Sequence, residues 1–396
     1  MEIIVRSEDT LSYFGNLFMV PVHLIIDSNP KVDPDNLRPG EKIQVPGYIS
    51  VPYTIKEGDT FWKIADEKNL AVDSLLLLNQ TKDADHLLVG ETIFLPEKIN
   101  SPFTETNFPS DYKRLVKIIN NLKRVYPFIA VNTIGRSVIG HPIHEIRIGK
   151  GAKKIHMNAS FHANEWITTM VLMSLVNQYL LSLTNGTLMK GITVNNLYKE
   201  VELSIVPMVN PDGVDLVLNG PPSNYRDSVI DINEDSDDFI HWKANINGID
   251  LNNQFPANWD ICKEYKKVNA PAPRDFPGHA PLTEPEAAAM AQLAEDQLFD
   301  CVLAFHTQGE EFYWGYEGFE PKESEHLAKE FERESGYQAI RYVNSHAGFK
   351  DWFIQEFKRP GFTLELGKGI NPLPLSQFPR ILKSAEAIFI AAITIQ

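Results

Sequence analysis

The sequence predicts an α/β protein, with two small βααβ units followed by a larger domain built on a mostly parallel or mixed sheet. Two observations carry this prediction. Residues 1–97 repeat themselves at a shift of fifty, and residues 109–396 alternate amphipathic patterns with short apolar runs. Composition agrees: the 396 residues are 43% hydrophobic and 22% charged, as in a globular chain long enough for two or three domains.

In the repeat, Asp9-Thr10 recurs as Asp59-Thr60, and Val22, Asn29, Asp33 and Asp35 recur as Val72, Asn79, Asp83 and Asp85. Leu37, Gly40, Glu41, Ile43 and Pro46 recur as Leu87, Gly90, Glu91, Ile93 and Pro96. Those eleven identities compare with roughly three expected from average residue usage. In the second copy, Pro52–Ile55 reads as a strand and Gly58-Asp59 as a turn. Asp59 or Thr60 is placed to cap a helix to about Asn69, and a second helix covers about Val72–Asn79. Thr92–Leu95 returns as a strand that Pro96 is expected to end. The proline-flanked stretch after it, with no apolar period, reads as a linker. The expected divisions are 1–47, 48–97, a linker over 98–108, and 109–396.

In the large domain, Tyr112–Val125 and Thr168–Leu183 read as helices, and Thr283–Glu286 as a capping box opening a helix to about Gln297. His144–Ile148, Lys154–Ala159, Glu202–Met208, Cys301–Phe305 and Gly361–Leu366 read as strands. The chemistry gathers at strand ends. His162 and Glu165 follow one strand, three residues apart at the entry to a helix, so both side chains can share a face. His306 ends a second strand, and a parallel sheet presents its working residues at such ends. Two histidines and a carboxylate form a catalytic zinc set with one open position. The plainer reading makes each histidine a hydrogen-bonded residue of the core. Glu365 interrupts a third apolar strand, where a carboxylate is costly unless paired or working as a general base and acid.

Charge bounds the partners. Lys and Arg number 37 against 52 Asp and Glu, a net charge of −15. This disfavours nucleic acid and anionic membrane surfaces and leaves glycans, cationic ligands and peptides. Cys262 and Cys301 are too few for a disulfide framework. The N-terminal MEIIVRSEDT shows neither a basic n-region nor a long apolar run, and no stretch reads as a spanning helix. The expectation is a chain without signal peptide or membrane insertion, cytoplasmic and monomeric. An acidic loop, Asp231–Asp238, reads as solvated, or more sharply as a contact for a substrate ammonium group.

The repeat resembles the LysM module, through Gly58-Asp59-Thr60, Leu75, Asn79, Leu87, Gly90-Glu91 and Leu95-Pro96. That resemblance implies binding of N-acetylglucosamine-containing glycan; Glu8 stands where the second copy has Gly58, so the first copy is the divergent one. Residues 109–396 resemble the zinc metallocarboxypeptidases of the carboxypeptidase A type (peptidase family M14). The resemblance runs through Tyr126-Pro127-Phe128, Ile134–Ser137, Gly140–Ile143, His162–Glu165, Asn210–Gly213, Ile249–Asn253, Thr283–Glu286, His306, Asp351-Trp352 and Thr363–Leu366. It implies a carboxypeptidase A-like mixed eight-stranded sheet covered by helices. It also implies one Zn2+ per chain on His162, Glu165 and His306, with Glu365 as general base and then acid.

The departures bear on the substrate. Asn252-Asn253 stands where the family has an asparagine–arginine pair that clamps a peptide's C-terminal carboxylate, and an amide cannot replace that charged fork. Lys243 follows Trp242 where the family has an arginine facing the scissile carbonyl, and Asn164 replaces another arginine. The family's mobile tyrosine falls on Tyr342 or is replaced by His346. Without the clamp, and joined to LysM units, the domain resembles the γ-D-glutamyl-L-diamino acid endopeptidases of sporulating bacilli. The implied substrates are peptidoglycan stem peptides cut between γ-D-glutamate and diaminopimelate or lysine. Three alternatives remain: an ordinary carboxypeptidase with Arg226 or Arg274 filling the clamp, a non-catalytic peptidoglycan-binding protein, and an amide hydrolase acting on the sugar–peptide bond.

Overall fold

A computed structural model of the chain describes every residue except Asp85, Glu105, Ile395 and Gln396, so the repeat match at Asp85 lies outside the described residues. The chain forms two compact units. The first holds Met1–Phe103 with the returning segments Ile119–Ala130 and Asn177–Asn195; the second holds the remainder.

In the first unit, strand β1 (Glu2–Ile4) pairs antiparallel with β2 (Lys42–Gln44), and β3 (Tyr48–Thr54) with β4 (Thr92–Lys98). Between the paired strands lie helices α1 (Leu11–Phe18) and α2 (Val22–Ser28), and α3 (Phe61–Lys68) and α4 (Val72–Leu78). The repeated residues explain the repeated fold. Thr10 and Thr60 cap α1 and α3 by accepting from the backbone N–H of Tyr13 and Lys63. Asn29 and Asn79, both buried, donate back to their own helices at Ile25 and Leu75 and exchange two bonds with the returning strands at Gln44 and Phe94. Glu8 takes the same left-handed backbone as Gly58, φ 69° against 79°, so the divergent copy keeps the turn at a steric cost. Pro96 does not end β4. It sits opposite Ser50 in a two-stranded sheet, where its missing N–H breaks no ladder, and pairing runs on to Lys98.

The second unit carries an eight-stranded mixed sheet flanked by helices. Its strands are β5 (Ala130–Arg136), β6 (Pro142–Ile148), β7 (Lys153–Ala159), β10 (Val201–Val206), β11 (Cys301–His306), β12 (Glu311–Tyr313), β13 (Gln338–Ile340) and β14 (Gly361–Glu365). A small separate hairpin, in the Asn177–Asn195 segment of the first unit, supplies β8 (Leu188–Met189) and β9 (Ile192–Thr193). The order is β13-β12-β14-β11-β7-β10-β6-β5. The four central strands β14, β11, β7 and β10 run parallel, while β12 and β6 are antiparallel to their inner neighbours. Every residue of β11 is buried, as a strand covered on both faces requires.

The helices expected at Tyr112–Val125 (α5) and Thr168–Leu183 (α6, Ile167–Asn185) are present. By length and composition the stretch Ala163–Asn185 could cross a membrane, contrary to the sequence reading, but 89% of its most apolar window is buried inside the protein. The long helices Lys322–Ser335 and Phe378–Thr394, the edge strands β13 and β5, and β12 have no counterpart in the sequence reading. The capping box at Thr283 does not form. The helix begins at Pro285 with Glu284 as its N-cap and no side-chain cap, and the Thr283 hydroxyl donates to Gln254. Both cysteines are free and buried.

Candidate active site

The site forms where three adjacent strands end. Phe305 of β11 pairs with Ala159 of β7, and His306 of β11 with Glu365 of β14, so residues far apart in sequence emerge side by side. Beyond β7 the chain turns sharply at Ser160 (φ 49°), whose N–H and hydroxyl bond to the hydroxyls of Thr168 and Thr169. His162 then caps a single 3-10 turn, Ala163–Glu165. The side-chain amide of Asn210 holds this turn by donating to the carbonyls of Phe161 and Ala244. Gly213 has to lack a Cβ, which would lie 2.6 Å from the Asn210 amide and 2.7 Å from the Ala244 oxygen.

His162 Nδ1 lies 2.8 Å from Glu165 Oε1, and His306 Nδ1 lies 3.1 Å from both His162 Nδ1 and Glu165 Oε2. All three side chains are buried, and their potential ligand atoms fall within 4.8 Å of one another. Two imidazole nitrogens and one carboxylate, converging on one centre, fit a zinc ion. Asp250 stands behind them. Its Oδ1 is 3.3 Å from His162 Nε2, and its Oδ2 is 2.9 Å from Lys243 Nζ. A carboxylate there fixes the ring so that Nδ1 faces the centre. Asn371 supports the third ligand, donating to Glu165 Oε1 at 3.3 Å and to the Thr307 carbonyl at 3.0 Å.

The two glutamates of the site have opposite proton affinities. Burial acts to raise Glu165, but His162 and His306 outweigh it and hold the carboxyl at about 2. Glu365 is pushed up to about 8, first by burial and then by the charge of Glu165. Burial also works against the Asp250 carboxylate, yet Lys243 and His162 keep it well below the usual range.

A cleft of about 320 Å³ opens over these groups, lined by His162, Glu165, Glu365, Lys243 and Asn164 of the expected residues. It is also lined by Arg274, which the sequence reading named only as a cation that could fill the carboxylate clamp, and by His241, Gln308, Tyr313 and Asn371, to which it gave no role. Asn164 is buried, and its Oδ1 has no partner among the described residues.

Six expected site residues, the ligand His306 at its base among them, are not part of this lining. Asn252 accepts from the Phe349 N–H, and buried Asn253 accepts from the Cys262 thiol through Oδ1 while its Nδ2 has no partner among the described residues. The Tyr342 hydroxyl donates to Glu320, His346 pairs with the Tyr316 hydroxyl, and Arg226 begins an exposed helix. The acidic loop is solvated, tied internally by Asn233 to the carbonyls of Ser236 and Asp238, and lines no part of the cleft. Asp250 was open to discovery from the Ile249–Asn253 motif; Asn371 and Tyr313 belong to no pattern that local sequence displays.

Residues 115–386 match the family model described as zinc carboxypeptidase. The chain belongs to this family, M14. In this M14 chain the segments 3–46 and 53–96 match the LysM domain. The chain is 49% identical, over 99% of its length and all of the relative's, to γ-D-glutamyl-L-diamino acid endopeptidase 1 of Lysinibacillus sphaericus. It is 43% identical to the uncharacterized protein YqgT of Bacillus subtilis, over 94% of each chain. Among solved structures it superposes on carboxypeptidase A of Helicoverpa armigera with a TM-score of 0.56 at 17% identity, covering 99% of this chain and 95% of the other. Bovine thrombin-activatable fibrinolysis inhibitor gives 0.56 at 19%, over 73% and 97%. These M14 structures share the fold of the second unit. The zinc of the family agrees with the donor set at the ends of β7 and β11.

Proposed function

We propose that this M14 peptidase hydrolyses the bond between γ-D-glutamate and the diamino acid of peptidoglycan stem peptides, while its LysM modules hold the glycan. The observation that carries the reading is the 49% identity to an endopeptidase of that name across both chains. The loss of the arginine clamp at Asn253 supports it, because an enzyme cutting inside a branched peptide has no need to grip a terminal carboxylate there. Tethering through the modules raises the local concentration of stem peptide without any new catalytic contact.

His162, Glu165 and His306 hold the metal, and Asp250 and Asn371 hold those ligands in place. Bound zinc supplies Lewis acidity to the scissile carbonyl and to water. Glu365 takes the proton from the attacking water and delivers it to the leaving amine, which needs a carboxyl able to exist in both forms. Lys243, held beside Asp250, supplies positive charge for the oxygen that becomes negative.

The test is incubation of zinc-loaded protein with L-Ala-γ-D-Glu-diaminopimelate-D-Ala and product identification by mass spectrometry, with Glu365→Gln as control. Release of L-Ala-D-Glu by the wild type alone is expected. Release of D-Ala alone would make it a carboxypeptidase.

A further inference from the structure

Among the described residues that line the cleft, Arg274 is a cation that the mechanism leaves unused. Lys243 is already matched, at 2.9 Å from Asp250 and 4.0 Å from Asp275. Arg274 lines the same cleft and spends only its Nε on the protein, in a 3.1 Å bond to Asp275 Oδ2. Its two terminal nitrogens have no partner among the described residues. The arginine side chain is 62% exposed, but the chain around it is anchored. Asp275 is itself anchored by Lys266 at 2.7 Å. The carbonyl of the preceding Pro273 accepts from the N–H of both Lys243 and Ala244, so residue 274 is held in register with the lysine. A guanidinium tethered through Nε presents its remaining edge as a fork, the geometry that receives a carboxylate.

On the reading given above, the acyl side of the scissile bond is a glutamate attached through its side chain. Such a residue carries a free α-carboxylate on the same carbon skeleton as the carbonyl under attack, where an ordinary α-linked residue carries a neutral amide. We propose that Arg274 binds this α-carboxylate and thereby selects γ-linked over α-linked glutamyl bonds. The inference rests on the proposed function and adds the residue that reads the linkage.

The experiment pairs two enzymes with two substrates. Wild type and Arg274→Gln are assayed on L-Ala-γ-D-Glu-diaminopimelate and on the same peptide with the D-glutamyl α-carboxylate converted to carboxamide. A hydrogen-bonded charge pair predicts that wild type loses roughly 10- to 100-fold in kcat/KM on the carboxamide. Arg274→Gln should lose as much on the carboxylate peptide, chiefly in KM, and lose nothing further on the carboxamide. Arg274→Lys should recover part of the loss. Zinc content and melting temperature should stay at wild-type values, which separates recognition from misfolding.

Equal cleavage of both peptides by wild type would overturn the inference, as would equal losses by Arg274→Gln on both. If the loss follows a peptide capped at the diamino-acid carboxylate instead, Arg274 reads the leaving side and the inference is wrong. Failure of wild type to cut either peptide at the γ-glutamyl bond would count against the proposed function itself, and is read separately from these ratios.

Discussion

The repeat modules and the cleft both bury polar side chains, but they use them differently. In the modules, Asn29 and Asn79 each satisfy the side-chain carbonyl and both amide hydrogens with backbone groups no more than fifteen residues away. In the cleft, Glu165, Asp250, Lys243 and Glu365 are charged or half-charged, draw on partners up to 206 residues away, and leave His306 Nε2 and Asn164 Oδ1 without partners among the described residues. Satisfied neutral groups specify a shape, whereas poorly satisfied charges held by a rigid sheet are a reserve for chemistry. The two modules also differ from each other. Their cores repeat, but exposed Trp62, Leu88 and Val89 in the second stand at the positions of Ser12, Arg38 and Pro39 in the first.

The sharpest way to break this contrast is in the cleft. Glu365→Gln should lower kcat by on the order of 10³-fold while leaving zinc content unchanged. A variant with near wild-type turnover would remove Glu365 from the mechanism. Asp250→Asn should weaken zinc binding roughly 10- to 100-fold, measured by chelator competition, because the ring of His162 loses its carboxylate. Unchanged affinity would show that the turn alone orients the ligand.

A third prediction tests whether strained charge is confined to the cleft. Glu286 is fully buried, and burial, aided by the charges of Asp212 and Glu284, pushes its carboxyl up to about 8 from an ordinary 4.5. Its contribution to stability is complete below about pH 4.5 and is lost as pH rises to about 8, since only the unfolded chain gives up the proton easily. Glu286→Gln should therefore gain stability relative to wild type across that window, by a few kcal/mol (order of magnitude). Parallel pH–stability curves for the two proteins would contradict it.

Smaller effects belong to the modules. Asn79→Ala and Asn29→Ala should each cost about 1–3 kcal/mol of stability, seen in denaturant unfolding, by orphaning the backbone groups they serve. The two costs should be similar, because the geometry is the same. Trp62→Ala should leave stability nearly unchanged and reduce retention on purified peptidoglycan severalfold, while Ser12→Ala should alter neither. Equal retention by both variants would erase the distinction between the two modules.

Much of this was readable from local pattern. The fifty-residue repeat exposed the modules, because each closes its own small core from nearby residues, and the threonine caps and paired asparagines act within one module. The apolar runs marked the central strands, and their polar terminal residues, His162, His306 and Glu365, stood out against them. What local pattern misled about was local chemistry overruled by distant partners: Thr283 turned from its helix to Gln254, and Pro96 stayed in a strand because its missing N–H was not needed. Tyr342, His346, Arg226 and the Asn252-Asn253 pair were expected in the site on resemblance alone, and the structure engages them elsewhere.

By itself, then, the order of residues determined which segments would be the central strands, which unit would repeat, and which buried carboxylate and imidazoles needed a purpose. Only the tertiary structure decided that β7, β11 and β14 lie side by side, that Asp250 and Asn371 stand behind the ligands, and that Arg274 faces the cleft with its fork free. The physical reason is range. Helix caps, turns and alternation are set by neighbours along the chain, whereas the field at a buried carboxylate is set by whatever the fold brings within a few ångströms.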